Sequence, residues 1–176
     1  MLHALVYRLR IYRRLHKFFG IALATIVAVS SMTGILLAWK KDLDLLQPVT
    51  QQGTSPDLVA WKRLDELATV AQHALDSVTQ STGNTIDRIE ARPKEGIVKV
   101  LFKAGYWEVQ LDGTTANILS VQRRHSDWIE HVHDGSIISE GFKTVSMNIL
   151  GWGLLAMIFT GYWLWFGPRL IRRAKS

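Results

Sequence analysis

Two uncharged apolar stretches, Phe18 to Trp39 and Val145 to Phe166, lie near opposite ends of this chain with a long polar segment between them. As a helix, each is long enough to cross a bilayer, because about twenty residues at about 1.5 Å per residue span a hydrocarbon core of about 30 Å. Charge supports the same reading. Arg8, Arg10, Arg13, Arg14 and Lys17 precede the first stretch, and Arg169, Arg172, Arg173 and Lys175 follow the second. All 15 acidic residues fall between the stretches, where 12 basic residues accompany them. The positive-inside rule therefore predicts cytoplasmic termini and an exported middle, in the periplasm behind a bacterial inner membrane. The overall +6 is then a topology signal rather than a nucleic-acid footprint. The first stretch is too long for a signal-peptide core, and no small-x-small site follows it, so a retained anchor is expected. With no cysteine in the chain, disulfides, thiolate metal sites and cysteine nucleophiles are excluded.

The expected plan runs from a basic N-terminus (1–17) through the first span (18–39) to a linker (40–55). The linker's Gln47-to-Pro56 portion is polar and rich in turn formers. From Leu58 to Val78, apolar residues recur at three- and four-residue steps, predicting a helix that ends near Ser81-Thr82-Gly83-Asn84. Residues 85–91, 97–103, 106–111 and 118–122 read as strands between turns at Pro93 to Gly96, Ala104-Gly105 and Asp112-Gly113. One helix on an antiparallel sheet of three to four strands makes residues 56–124 a small α+β unit, too small for a deep enzymatic cleft. Residues 125–142 are expected to form a membrane-proximal connector. Within it, Asp127 would cap a helix over Trp128 to Asp134 that stops at Gly135, with Trp128 and Ile129 facing inward. The second span (143–166) and a basic tail (167–176) complete an α+β membrane protein. Phosphate loops, serine elbows and zinc-protease motifs are absent, and Asp65-Glu66 reads as a solvated helix face.

The sequence also resembles a known family. Arg14-Leu15-His16-Lys17-Phe18-Phe19-Gly20, with the span closing in Met32-Thr33-Gly34-Ile35-Leu36-Leu37-Ala38-Trp39, is similar to the first span of the PepSY-associated transmembrane family. The middle, with Tyr106-Trp107-Glu108-Val109-Gln110-Leu111-Asp112-Gly113, resembles the family's exported PepSY domain. His131-Val132-His133-Asp134-Gly135 and Thr160-Gly161-Tyr162-Trp163-Leu164-Trp165-Phe166-Gly167-Pro168-Arg169 resemble its approach to, and exit from, a second span. Longer members include membrane reductases that pass electrons through haem to periplasmic ferric siderophores. The resemblance thus implies an accessory role in redox or iron handling.

Neutral imidazole is a good axial ligand for haem iron, and a b-type haem needs no covalent attachment. His16, His133 and His131 are the candidates; His125 is a weaker one, and His73 reads as a surface residue. His16 is expected at the cytoplasmic end and His133 at the exported end, so one chain cannot clamp one haem between them. A homodimer or a histidine-bearing partner in a larger membrane complex would be required. Alternatively, His16 needs no cofactor at head-group level, and the chain is a non-catalytic anchored module that binds a periplasmic protein partner. Small residues allow close helix approach in lipid, so Gly20, Ala24 and Gly34 on the first span, and Gly153 and Gly161 on the second, are expected at contacts between spans or protomers.

Overall fold

The computed structural model describes residues 2–173, with side chains from residue 6 to residue 172. Lys175, in the expected basic tail, lies outside the described residues. Among those described, four helices and four strands follow in the order α1 (Leu2–Ala38), α2 (Leu64–Thr79), β1 (Ile86–Arg92), β2 (Ile97–Phe102), β3 (Trp107–Asp112), β4 (Ile118–Arg123), α3 (His125–Asp134) and α4 (Glu140–Arg173). They fall into two compact units, one of residues 36–129 and one joining 1–35 to 130–176.

In the first unit the strands form an antiparallel meander in the order β1-β2-β3-β4. The period-two alternation of β2 and β3 sends Val98, Val100, Phe102, Val109 and Leu111 to one face, where α2 buries Leu67, Ala71, Ala74 and Leu75 against them. α2 begins six residues later than the apolar periodicity suggests. Leu58–Ala60 is a separate short turn, and Trp61 is extended, with its indole N–H donated to the Ser55 carbonyl. Trp61 also lies flat against Gly113, where any side chain would collide with the indole.

The other face of β2 and β3 is polar and yet buried. Residues 46–54, expected as a linker, strap across it: Gln110 bonds the Val49 carbonyl and the Gln51 amide, and Lys99 bonds Thr50. Asp112 accepts from the Thr54 hydroxyl and amide and from the amides of Thr114 and Thr115. Burial alone would push that carboxyl up, but these donors outweigh it and hold it below the usual carboxylate range.

In the second unit α1 and α4 run antiparallel. α1 continues as helix through Arg8 to Lys17, and α4 continues past Gly167 and through Pro168. At 37 and 34 residues, both exceed the roughly 20 that a bilayer requires. Of the most apolar window of each, only 6 % and 0 % is buried. A core helix of a soluble protein would bury that surface; these helices present it outward. Contact is confined to one seam, in which Leu9 meets Gly167, Tyr12 meets Trp163, Gly20 meets Met157 and Leu23 meets Gly153. The seam on α1 steps through 16, 20, 23, 27 and 30, a three- and four-residue alternation that fits helices packed side by side. Of the small residues of α1 expected at contacts between spans or protomers, Gly20 meets α4 on this seam, whereas Ala24 is one position off it and exposed.

Candidate functional site

The second unit places a histidine at each end of the helix seam, each against a Thr-Gly pair of the opposite helix. Near one end, Nδ1 of His16 on α1 lies 2.8 Å from Oγ1 of Thr160 on α4. Near the other, Nδ1 of His133, in the last turn of α3, lies 3.0 Å from Oγ1 of Thr33 on α1. Glycine follows each threonine. A Cβ at Gly161 would stand 3.5 Å from Cε1 of His16, and one at Gly34 would stand 3.3 Å from Cε1 of His133. Both imidazoles are half-buried.

The hydroxyl protons fix what each ring can do. Oγ1 of Thr160 is 2.7 Å from the Ala156 carbonyl, and Oγ1 of Thr33 is 2.8 Å from the Val29 carbonyl, the back-bond a helical threonine makes one turn down. Each hydroxyl spends its one proton there and has only lone pairs left for the imidazole. With the hydroxyl proton on the carbonyl, Nδ1 is the donor in both contacts. The Nδ1–H tautomer leaves Nε2 with a free lone pair, the arrangement a metal-ligating histidine usually shows, with its other nitrogen held by a fixed acceptor. The two sites are 17 residues apart along α1, about 26 Å of helix, so no single iron can meet both rings.

Were haem to bind here, each site would supply one imidazole to hold it. Beside His133 an apolar cleft of about 240 Å³ opens between Ile26, Val29, Phe142, Met147 and Leu150. His131 is two residues from His133 on α3, and its Nδ1 is 2.9 Å from Ser136 Oγ instead of a span residue. His125 and His73 are exposed on the sheet unit, outside either site. Among the described residues no cluster of three histidine or carboxylate side chains forms a metal site.

Asp134 follows His133 and anchors the turn into α4. Its carboxylate is 2.6 Å from the Lys143 ammonium and accepts from the Ser136 amide at 2.9 Å. Burial opposes ionisation, yet these bonds prevail and lower the group to about 2. Gly135 then takes φ +82°, a left-handed stop open to glycine at little cost. Asp127 has a different role from the expected cap. α3 already begins at His125, and the Asp127 carboxylate pairs with Arg124 at 2.7 Å and Arg88 at 3.0 Å. Ile129 is buried as expected, but Trp128 is half exposed.

Sequence reasoning passed over the polar side of the sheet. Glu108 and Lys99 are fully buried and 3.3 Å apart, and Arg124 reaches Glu108 at 3.1 Å. Nor did it pair the histidines with threonines. The available signal was the repetition of Thr-Gly near the end of each span, at 33–34 and 160–161.

The family described as PepSY-associated TM region matches the chain over residues 13–176. No curated protein and no solved structure matches it.

Proposed function

This chain belongs to the PepSY-associated TM family, and we propose on that footing that it is an accessory electron-transfer subunit of the bacterial inner membrane, serving redox or iron handling. In this reading both termini are cytoplasmic, residues 36–129 are periplasmic, and b-type haem is held by His16 at one end of the spans and His133 at the other. The observation that carries it is the pair of threonine-held imidazoles, each bonded through Nδ1. Haem iron would supply one-electron chemistry there. The chain's own part is to fix ring tautomer and orientation and to surround the site near His133 with apolar side chains. His131, engaged with Ser136, is the lesser candidate. Each site offers one ring, so the reading requires a second copy or a histidine-bearing partner. The test is the absorption spectrum of detergent-purified protein from haem-replete cells. A Soret band weakened by His16→Ala and by His133→Ala supports it; a colourless, iron-free preparation ends it.

A second reading, a non-catalytic module that binds a periplasmic protein, is favoured by exposed apolar residues before and at the start of α2. Val59 is 92 % exposed, and Leu58 and Leu64 are more than half exposed. A crosslinked partner recovered reproducibly with wild type and lost with Val59→Asp supports that reading; recovery unchanged by the substitution counts against it.

A further inference from the structure

α4 turns one side to α1 and leaves the other exposed. Gly153 and Met157 meet α1, whereas Thr144, Asn148, Gly151, Leu155, Ile158 and Tyr162 are all exposed. At about 100° per residue, Gly151 and Leu155 both lie about 160° around the helix from Gly153. The six exposed residues follow one another in strict alternation of four- and three-residue steps. That is a heptad seam, with 148, 155 and 162 at its a positions and 144, 151 and 158 at its d positions. Acyl chains pack against any apolar pattern, but a heptad line continues to meet its neighbour only along another helix.

Asn148 gives an independent reason for a helix there. It lies within the apolar stretch that begins at Val145, and its exposed side faces hydrocarbon. Its Nδ2 donates to the Thr144 carbonyl at 2.8 Å. The second N–H and the Oδ1 lone pairs have no partner among the described residues. Hydrocarbon supplies none. A second asparagine amide does, because the group carries donor and acceptor together and is complementary to itself. In coiled-coil dimers a lone Asn at an a position sets register and the number of helices. Gly151, one turn on, opens the way for close approach. A Cβ there would meet nothing within 4 Å in its own chain, and the groove over it is walled by Met147, Asn148, Trp152 and Leu155.

We propose that a second copy of this chain docks on this face, α4 against α4 in parallel, with the Asn148 amides of the two copies bonded to each other. Copies of one chain insert in the same sense, so the parallel pairing is the one open to them. Met147 borders both this groove and the cleft beside His133, so the second helix stands against the wall of that cleft. The docking needs no haem, and its test reads the same on colourless protein. Single cysteines in this cysteine-free chain, placed at Leu155 or Ile158 on the seam and at Ile149 or Ala156 off it, are oxidised in native membranes. The seam positions should give a disulfide-linked species of twice the chain mass, and the other two about a tenth as much or less. In the Leu155→Cys chain, Gly151→Ile should lower the linked yield about tenfold and Asn148→Leu several-fold, with circular dichroism and melting unchanged. Should either variant misfold, the dependence on cysteine position still decides. Equal linking at all four positions, no linking at any, or linking undiminished in folded Gly151→Ile overturns the docking. Colourless protein that links on the seam alone ends the haem reading and leaves this one standing.

Discussion

At Thr33 and Thr160 the direction of one proton decides what the neighbouring histidine offers. Replacing either by valine keeps the shape and removes the acceptor, so the imidazole loses the bond that selects Nδ1–H. In protein labelled with ¹⁵N at histidine, His133 should show the Nδ1–H pattern in wild type, a mixture of tautomers in Thr33→Val and recovery in Thr33→Ser. His16 should follow Thr160 in the same way. A valine variant with an unchanged spectrum would show that the threonines are merely packed there. Glu108 presents a different problem at the same scale. It is fully buried between Lys99 and Arg124, and its removal leaves the Lys99 charge without its carboxylate in a site closed to water. Glu108→Ala should therefore cost about 3–5 kcal/mol, whereas the apolar pair Lys99→Met with Glu108→Leu should cost much less. Denaturant unfolding of the detergent-solubilised protein, followed by circular dichroism, measures both.

Among the elements, the turn between α3 and α4 is the one most exposed to acid. Asp134 falls from an ordinary 3.8 to about 2 in the folded chain, so the folded state binds fewer protons there than the unfolded state. Its stabilising contribution is complete above the unfolded value and is lost as pH falls through the folded one. Wild type should lose melting temperature faster than Asp134→Asn between pH 3.8 and about 2, and the two should run parallel above that window. Elements whose pattern answers to one face were legible in the sequence. The four strands and the body of α2 lie within a residue or two of their expected limits, because alternation and three-four spacing report burial directly. Lys99, Glu108 and Gln110 were not legible as interior residues. Alternating with valines, they read as a wet face, and only a strap rich in threonine and glutamine drawn over the sheet turns that face inward. The same strap read as a linker because its order comes from side-chain bonds to the sheet, which leave no periodic trace. Among the small residues expected at helix contacts, Gly20 lies on the seam with α4 and Ala24 lies off it. Residue size shows where helices can approach, but the seam follows the residues that interdigitate, Leu23 with Gly153 and Gly20 with Met157.

For the whole molecule, two apolar helices with outward-facing surfaces in a chain of this family make a membrane protein, and the absence of cysteine makes its topology directly measurable. Single cysteines replacing Val59 and Arg10 should react from opposite sides of sealed vesicles if the basic flanks are cytoplasmic. Labelling of both from one side would refute the two-span arrangement. Haem content tests the remaining step. The two imidazole sites are separated by about 26 Å of helix, and on the proposed reading each would supply one ring, so a site ligated by two histidines would need a second copy of the chain or a histidine-bearing partner; the first of these has a definite stoichiometry. Two copies joined in that way have two such sites, one from paired His16 and one from paired His133. The expected stoichiometry is one haem per chain. His16→Ala and His133→Ala should each retain half of it, and the double variant none, with the mass by light scattering twice that of the chain wherever haem is present. Complete loss in either single variant, or full loading of a monomer, would contradict this arrangement: the first would make one shared iron depend on both ends, and the second would require an axial ligand from elsewhere in the same chain.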